Sequence, residues 1–452
     1  MKQSVSFTSG DPTNTLYRMA LPMVWGLLAT MSFNAVDTYF VAQLGPDQLA
    51  AMSFTFPVVM VITSMAIGMG AGTSSLMARL LGQSKIGEAR QMAGDAILLS
   101  LALSSAMMIL GLLTIDPLFL LLGAKPELLP LIHDYMSIWY LNTPFVIASM
   151  ALSATFRSTG NNGIAGTLMF VSAIFNAILD PLLIFGWGIF PRMEIAGAAW
   201  ATFITRGVMT FAGLYLASKT YRLISWPHVQ WSALTNAWQG ILHIALPAMG
   251  TNMIIPLASG ISVALIASHG VDAVAGFGVA IRIEPIMLIT FFALSGVVGP
   301  FMGQNMAGEY RHRQLQALNS IVKFCLLFGA AMAVILWLAK DTVVGWFTDS
   351  PEVIEVAAIY LTITPVSYGL YGLVMSVNAS FNGLGKPFPA MAISILRALV
   401  IYLPLALVAQ HFWGLPGLFI GMTAANAITG ILAYFWLKSA LIQPLVVAKT
   451  TA

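Results

Sequence analysis

Charged residues are the scarcest class in this sequence, making up 8% of its 452 residues against 58% hydrophobic residues. A soluble domain carries about 25% charged residues. This chain therefore has too little charge to cover a water-exposed surface of ordinary size. The scarcity excludes a soluble globular protein and favours a chain that lies mostly in a membrane.

The sequence has only one cysteine, and it lacks nucleotide- and metal-binding motifs. The single cysteine, Cys325, lies in an apolar run, which predicts a buried structural thiol rather than a disulfide or redox site. The sequence holds no phosphate-binding loop, zinc motif or nucleophile elbow, and its histidines lack metal-ligand spacing. No basic stripe indicates nucleic acid. We therefore expect no cofactor, no metal site, no ATP motor and no nucleic-acid partner.

Long apolar runs are what the sequence has instead. About 20 apolar residues in a helix cross the ~30 Å of hydrocarbon in a bilayer. Lipid offers backbone amides no partner, and these runs lack the alternation of outer-membrane strands, so they predict helices. Residues 1–15 lack the apolar core of a signal peptide, so we expect the first run to be retained. We predict an all-α membrane protein with twelve transmembrane helices, near residues 15–44, 52–80, 90–114, 131–155, 162–186, 195–217, 238–268, 272–303, 316–340, 355–381, 387–410 and 415–437.

Lysine and arginine are distributed unevenly among the loops. One set of loops and termini carries most of them, including Arg79 and Lys219, whereas the opposite set carries only Lys125, Arg192 and Lys340. Positive charge concentrates in cytoplasmic loops. We therefore predict that both termini are cytoplasmic.

The sequence repeats itself at an offset of 225 residues. Ala-Leu-Pro at 20–22 recurs at 245–247, and Gly-x-Asp at 45–47 recurs at 270–272. Each copy has six spans, an even number, so both copies enter the membrane in the same direction. This indicates two parallel six-helix repeats related by an axis along the membrane normal, as in several transporters. We predict lobes at 1–225 and 226–452, joined by a cytoplasmic connector near residues 218–237 that includes Pro227 and His228.

Two acidic residues fall clearly inside predicted spans, Asp37 in the first and Asp180 in the fifth. An ionisable group in hydrocarbon is costly and normally marks an ion or substrate path. Both spans run outward, and at about 1.5 Å per residue both acids lie roughly 10 Å below the external face. With no basic residue embedded at that depth, we expect the acids to share one chamber of the first lobe. At offset 225 they correspond to Ser262 and Leu405, so this chemistry should be confined to the first lobe.

Four further polar residues are predicted to join the acids. Asn176 and Asn34 lie four and three residues before an acid, hence on the same helix face. Thr202 and Tyr135 enter at a similar depth from two other spans. The alternative interpretation is a hydrogen-bonded cluster that only ties the helices together.

Burial and proximity suggest what the acids do. A carboxylate removed from water, with a second one nearby, is more easily neutralised by a proton, and the pair would titrate as one coupled unit. The same oxygens could also hold a sodium ion. The residues alone leave both coupling ions open.

Two other features have a structural and a functional interpretation. Pro22 shares the first span with Asp37, and because proline removes a backbone hydrogen bond, it is either a packing kink or a hinge. Glu284, Arg282 and Arg397 fall near membrane depth in the second lobe. We interpret these three as charge pairing or snorkelling rather than as a substrate site.

Several motifs, in this order and spacing, resemble the MATE (multidrug and toxic compound extrusion) family over essentially the whole chain. They are Ala-Leu-Pro at 20–22, Asn-Ala-Val-Asp-Thr at 34–38, Leu-Gly at 44–45, Phe-Arg-Ser-Thr-Gly at 156–160 and Asn-Ala-Ile-Leu-Asp-Pro at 176–181. The acids lie in the first lobe, and spans 7 and 10 have none, which is similar to the DinF-like bacterial branch rather than the NorM-like one.

The resemblance implies a function. It implies export of cationic, amphipathic drugs across the bacterial inner membrane, coupled to protons or sodium and not to an enzymatic reaction. It also implies that Asp180 and Asn176 form a network with Tyr135 and Thr202. The expected partners are small drug molecules and the lipid bilayer, and one two-lobed chain would suffice as a monomer.

We expect drug to bind in the first lobe and to be released outward when Asp180 and Asp37 are protonated and the first helix bends near Pro22. One alternative is a lipid-linked precursor flippase of the same superfamily, but such flippases usually carry more basic residues in the cavity. Another is an intramembrane aspartyl enzyme, which would leave the duplicated architecture unexplained.

Overall fold

The computed structural model of the chain describes residues 7–226, 230–307 and 310–450, with side chains described as far as residue 442. Pro227 and His228 of the predicted connector lie outside the described residues. Within these ranges the chain is helical and contains no strand. Its α-helices are α1 Pro12–Ala42, α2 Pro46–Gly82, α3 Ile86–Leu113, α4 Ile115–Leu121, α5 Leu129–Ser158, α6 Asn162–Phe185, α7 Glu194–Tyr215, α8 Trp231–Ala267, α9 Val271–Gln304, α10 Arg311–Gly345, α11 Pro351–Ile363, α12 Tyr368–Gly383, α13 Pro387–Ile395 and α14 Tyr402–Thr450.

The helices confirm the predicted all-α membrane fold, and each predicted span corresponds to one of them or to a joined pair. The tenth span is α11 and α12, joined by the 3₁₀ turn Thr364–Ser367. The eleventh is α13, the π-helical turn Leu396–Ile401 and the start of α14. The twelfth follows Gly414, where φ 60° and ψ −138° break α14 into two spans, a conformation that glycine adopts without a Cβ clash.

Length and hydropathy alone identify nine helical stretches, among the described residues, that could each cross a membrane. The longest, Pro387–Ile442, has 56 residues and is long enough for two crossings. Helices α5 and α7 are not among the nine. These two carry Tyr135 and Thr202, so polar site residues contribute to their lower hydropathy.

The chain forms two compact units, the first of which is mainly Pro22–Met249. In this unit α5 packs against α2, α3 and α7, and α6 packs against α7. Its core joins Ile62, Met136 and Ile184 to Ile241 from the first half of α8. The first half of α8 therefore belongs to the first unit by packing.

The second unit comprises Ser6–Leu21 and Gly250–Ala452. Here α12 packs against α9, α10 and α14, and α11 packs against α9. The start of α1 joins this unit, where Tyr17 lies edge-on to Phe324 with ring centroids 5.4 Å apart. Packing does not test the duplication itself, so the division at 1–225 and 226–452 stays a prediction.

Candidate functional site

The two predicted acids lie on neighbouring elements of the first unit. Asp37 is five residues before the end of α1, and Asp180 is five residues before the end of α6. The side chain of Asp180 is fully buried and that of Asp37 is 7% exposed. Apolar residues make these helices stable in lipid, and each helix then holds one carboxyl group away from water.

Asn176 links Asp180 to α7. In the amide orientation that satisfies both of its polar atoms, the Asn176 nitrogen donates to Asp180 Oδ2 at 3.1 Å. The Asn176 oxygen accepts from the backbone nitrogen of Thr202 at 3.1 Å in the same orientation. The orientation is assigned from this network, as is usual for amides. Asp180 thus receives a neutral donor, and α6 is tied to α7.

Asp37 and Tyr135 complete the cluster. The charge of Asp37 interacts electrostatically with Asp180 and with the Tyr135 hydroxyl. Tyr135 is 5% exposed, and its oxygen accepts from Trp139 Nε1 at 3.0 Å. The Asp37 Oδ1 atom is buried and has no hydrogen-bond partner among the described residues. Helices α1, α5 and α6 therefore bring two carboxyl groups and a phenol together, with one carboxyl oxygen unsatisfied.

Two of the predicted residues lie apart from this cluster. The Asn34 side chain is exposed, although it lies three residues before Asp37. Pro22 is inside α1, which stays helical through it. A Cβ added to Gly166 of α6 would lie 2.4 Å from the Pro22 carbonyl oxygen, so α6 crosses α1 closely at the proline.

The structure reveals ionisable residues that sequence reasoning missed. Asp95 is inside α3 and 5% exposed, with its Oδ1 unpartnered among the described residues, so Asp37 and Asp180 are not the only acids inside the spans. Arg206 is partly buried on α7, one turn beyond Thr202, so a basic residue also lies inside a predicted span. Both residues could have been found from the sequence, because Asp95 lies within the predicted span 90–114 and Arg206 within the predicted span 195–217.

Unpaired buried amides and hydroxyls extend the polar face. Asn142 is fully buried on α5, and neither of its amide atoms has a partner among the described residues. It follows Tyr135 by seven residues, which places both on one face of α5. Thr205, three residues after Thr202, has a buried hydroxyl without a partner there. Helical spacing from the predicted site residues could have found both.

A second polar cluster lies in the second unit, around a cavity of about 220 Å³. The Tyr360 hydroxyl donates to Glu284 Oε2. The Arg397 guanidinium lies 4.5 Å from the Tyr371 ring centroid and donates to Asn426 Oδ1 at 3.3 Å. Arg397 belongs to the π-helical turn of the eleventh span, an irregularity frequent at functional sites.

The charges of this second cluster are not paired directly. Within the described residues no ion pair joins Glu284 to Arg282 or Arg397; the ion pairs found there are Lys85–Glu88 and Arg192–Glu194. Arg282 is exposed. Nor does any group of three or more His, Cys, Asp or Glu side chains there gather as metal ligands.

Comparison with known proteins matches this architecture. The MatE family profile matches residues 22–182 and 247–408, once in each predicted lobe, with starts separated by the repeat offset of 225. A FAD transporter of Shewanella oneidensis is 36% identical over 452 residues, covering 100% of this chain and 99% of that protein. The multidrug export protein MepA of Staphylococcus haemolyticus is 26% identical over 436 residues, covering 96% and 95%.

Solved structures agree with the sequence matches. The crystal structure of the Vibrio cholerae MATE transporter VcmN in the bent form has a TM-score of 0.90 and 31% identity, covering 95% of this chain and 97% of that one. An outward-facing multidrug resistance MATE family transporter has a TM-score of 0.92 and 25% identity, covering 98% and 99%.

Membrane-length helices, a twice-matched family profile and a buried carboxyl cluster define a multi-pass membrane transporter rather than an enzyme. The chain belongs to the MATE family. Membership confirms the resemblance found in the sequence and excludes the intramembrane aspartyl enzyme. Assignment to the DinF-like branch stays a prediction.

Proposed function

We propose that this chain is a proton-coupled antiporter that exports cationic, amphipathic drugs across the bacterial inner membrane, with both termini cytoplasmic. The observation that carries the proposal is the Asp37–Asp180 pair, which is buried, close enough for the two charges to interact, and left with one unsatisfied oxygen. Similarity to multidrug export proteins such as MepA supports the cargo class. One two-lobed chain is sufficient for the cycle.

The unpartnered carboxyl oxygen of Asp37 supports protons as the coupling ion. A sodium ion needs several oxygens aimed at one point, whereas a carboxyl group needs only a route to water to exchange a proton. Asp37 Oδ1, without a partner, is a ready proton acceptor.

The proposed cycle couples drug release to protonation. A cationic drug binds near the two ionised acids, which neutralise its charge. Protons arriving from outside neutralise Asp37 and Asp180, so the drug loses its counter-charges and leaves outward. Loss of charge also changes the hydrogen bonds at the outer end of α1, and Pro22, which lacks a backbone donor, allows that helix to bend.

Proteoliposomes with separately imposed proton and sodium gradients test the proposal. For the wild-type chain, we expect the proton gradient alone to drive accumulation of a fluorescent cationic dye. Asp37→Asn and Asp180→Asn should lose this accumulation, because an amide side chain, unlike a carboxyl group, does not take up and release a proton. Asp47→Asn, an exposed variant in the first turn of α2, is the matched control and should transport normally.

Two outcomes would contradict the proposal. Wild-type accumulation by Asp180→Asn would remove this residue from the coupling step. Accumulation driven by the sodium gradient but not by the proton gradient would replace the proposed ion.

FAD is a second candidate cargo, favoured by a specific observation in the second unit. The relative that is 36% identical over the whole chain is a FAD transporter. FAD carries flat aromatic rings and an anionic diphosphate. The second cluster offers an arginine stacked on Tyr371 beside Phe277, Tyr360 and Tyr402, a combination that suits stacking and phosphate binding.

A further inference from the structure

Three basic residues of the first unit converge at the end of the unit that the charge distribution predicts to be cytoplasmic. One cavity of about 510 Å³ is lined by Arg90 from α3, by Lys219 from the π-helical turn Leu216–Thr220 that follows α7, and by Arg222. Ser218 and Ser225 line it as well. No acidic residue is among its lining residues, so the cavity is suited to an anion.

The charges in this cavity lack protein counter-charges. Within the described part of the chain, no salt bridge involves Arg90, Lys219 or Arg222; the neighbouring pair is Lys85 with Glu88. The Nε atom of Arg90 is buried and has no hydrogen-bond partner there. A buried donor without an acceptor is costly, and an anionic ligand would supply the acceptor.

The segment that carries Arg222 is held in place. Arg222 has φ 52°, in the left-handed region. On either side of it, the Tyr221 nitrogen donates to Leu216 O at 2.9 Å and the Leu223 nitrogen donates to Ala217 O at 2.7 Å. The Ser225 nitrogen donates to Arg90 O at 3.0 Å, which ties the segment to α3. The side chains of Lys219 and Arg222 are exposed, but the backbone that presents them is held by these hydrogen bonds.

An apolar groove adjoins the basic cavity. It has a volume of about 390 Å³ and shares Ser218, Lys219 and Ile224 with the cavity. Its other walls are aromatic and exposed: Phe211 is 63% exposed, Tyr215 64% and Trp226 65%. Phe211 and Tyr215 are one turn apart on α7, so the groove extends from the charged end along the lipid-facing helix.

We propose that the cavity and groove together bind an anionic phospholipid, with its phosphate headgroup held by Arg90, Lys219 and Arg222 and an acyl chain along Phe211, Tyr215 and Trp226. Basic pockets at the cytoplasmic side of transmembrane helices suit such headgroups, and Trp and Tyr are enriched at the membrane interface. A free phosphate would use only the basic half. The apolar half, continuous with it, favours a lipid.

Native mass spectrometry of the delipidated full-length chain in detergent tests the proposal, with phosphatidylglycerol as the probe and phosphatidylethanolamine as its zwitterionic counterpart. We expect saturable binding of phosphatidylglycerol with clear preference over phosphatidylethanolamine. Lys219→Gln with Arg222→Gln should weaken it about thirtyfold, since each lost charge near an anionic lipid is worth about 1 kcal/mol, or about fivefold. Lys85→Gln, an exposed cation on the neighbouring α3 end, is the matched control and should bind normally.

Further variants distinguish a bound lipid from a bound free phosphate and test whether loss of binding is due to misfolding. Trp226→Ser should weaken phosphatidylglycerol binding but leave weak binding of inorganic phosphate unchanged. Lys219→Arg with Arg222→Lys keeps both charges and should restore the affinity for phosphatidylglycerol. Asp180→Asn should bind the lipid normally, which keeps this result independent of the transport mechanism.

Several outcomes would overturn the proposal. Equal binding of the two phospholipids, or equal loss in Lys85→Gln, would show that the site does not recognise an anionic headgroup. Inorganic phosphate displacing the lipid at comparable concentration would assign the cavity to a soluble anion. Absence of saturable binding to the wild-type chain would mean that no lipid site is present.

Discussion

At the scale of single residues, the cost of the unsatisfied oxygen on Asp37 is informative. A buried polar atom without a partner costs about 1–3 kcal/mol. The same cluster gives Asp180 a donor from Asn176 and gives the Tyr135 oxygen a donor from Trp139. A site that served only to tie helices together would gain stability from satisfying Asp37 as well. An atom left ready for a proton is consistent with the proposed coupling role.

The close crossing of α6 and α1 at Pro22 depends on one missing side chain. Gly166→Ala would place a methyl group 2.4 Å from the Pro22 carbonyl oxygen, so α6 and α1 would have to separate. We expect a loss of about 1–3 kcal/mol of stability, as in other overpacked sites. Thermal unfolding of the purified protein measures this loss, and drug efflux should fall with it because α1 shifts at the proline.

Gly163→Ala is the control for this substitution. Gly163 is on the same helix, three residues earlier, and an added Cβ would meet nothing within 4 Å. Alanine there should be neutral or stabilising by up to about 1 kcal/mol, since it reduces the freedom of the unfolded chain. Equal effects of the two substitutions would contradict the idea of a close crossing at Pro22.

At the scale of elements, α10 anchors the segment that precedes α1. The Arg313 guanidinium donates to the carbonyl oxygens of Phe7, Ser9 and Gly10, at 3.2, 3.2 and 2.7 Å. Its Nε donates to Asn305 Oδ1 at 2.9 Å. These three backbone hydrogen bonds to one planar guanidinium group hold the segment before α1 against α10 in the second unit.

Arg313→Met should therefore release the amino-terminal segment. Hydrogen bonds to a charged group are worth about 1.5–3 kcal/mol, and methionine keeps most of the side-chain volume without a donor. We expect faster chymotrypsin cleavage at Phe7 and Tyr17, followed by mass spectrometry of the fragments. Arg18→Met, an exposed cation of α1, should leave the cleavage rate unchanged, and equal protection of both variants would refute the anchor.

Two departures from regular α-helix in the second unit lie close to one polar cluster. The 3₁₀ turn Thr364–Ser367 and the π-helical turn Leu396–Ile401 interrupt two spans beside the Arg397 cluster. Asn426 joins these elements, since its nitrogen donates to Ser367 Oγ at 3.1 Å and its oxygen accepts from Arg397. Where a helix departs from regular α geometry, some backbone groups lose their helical hydrogen bonds. Within the membrane these groups need nearby polar partners.

At the scale of the whole molecule, each unit carries its own polar site. The first holds Asp37 and Asp180, and the second holds Arg397 among aromatic rings. If FAD is a cargo, its anionic diphosphate needs a cation, whereas a cationic dye needs the acids. Substitution in either unit should then separate the two cargoes.

Arg397→Met should weaken FAD export while leaving cationic dye export intact. The substitution removes a charged hydrogen bond between the arginine and the FAD diphosphate, which is worth about 1.5–3 kcal/mol. Its loss predicts a rise in KM for FAD of roughly 10- to 150-fold. Arg282→Met, an exposed arginine of α9, should change neither cargo. Transport assays in proteoliposomes with each cargo measure this, and parallel loss of both cargoes would show that Arg397 is structural.

The sequence determined the class of this protein because hydrophobicity and residue spacing act locally. Apolar runs long enough to cross a bilayer become helices whatever packs beside them. The spans and the repeat could therefore be predicted from the sequence. The prediction for Asn176 relied on an offset of four residues, about 40° around a helix, and Asn176 contacts Asp180. Asn34 lies three residues before Asp37, and this spacing rotates its side chain about 60° in the opposite direction around the helix. Its side chain is exposed.

Tertiary structure alone decided which atoms meet. Burial of Asp95, partial burial of Arg206, the unpartnered oxygen of Asp37 and the packing of residues before Pro22 in the second unit all depend on neighbours far along the chain. Such contacts are set by how helices pack side by side, which local spacing does not specify. The sequence therefore fixes which helices form and which groups they carry, and packing decides which of those groups share a site.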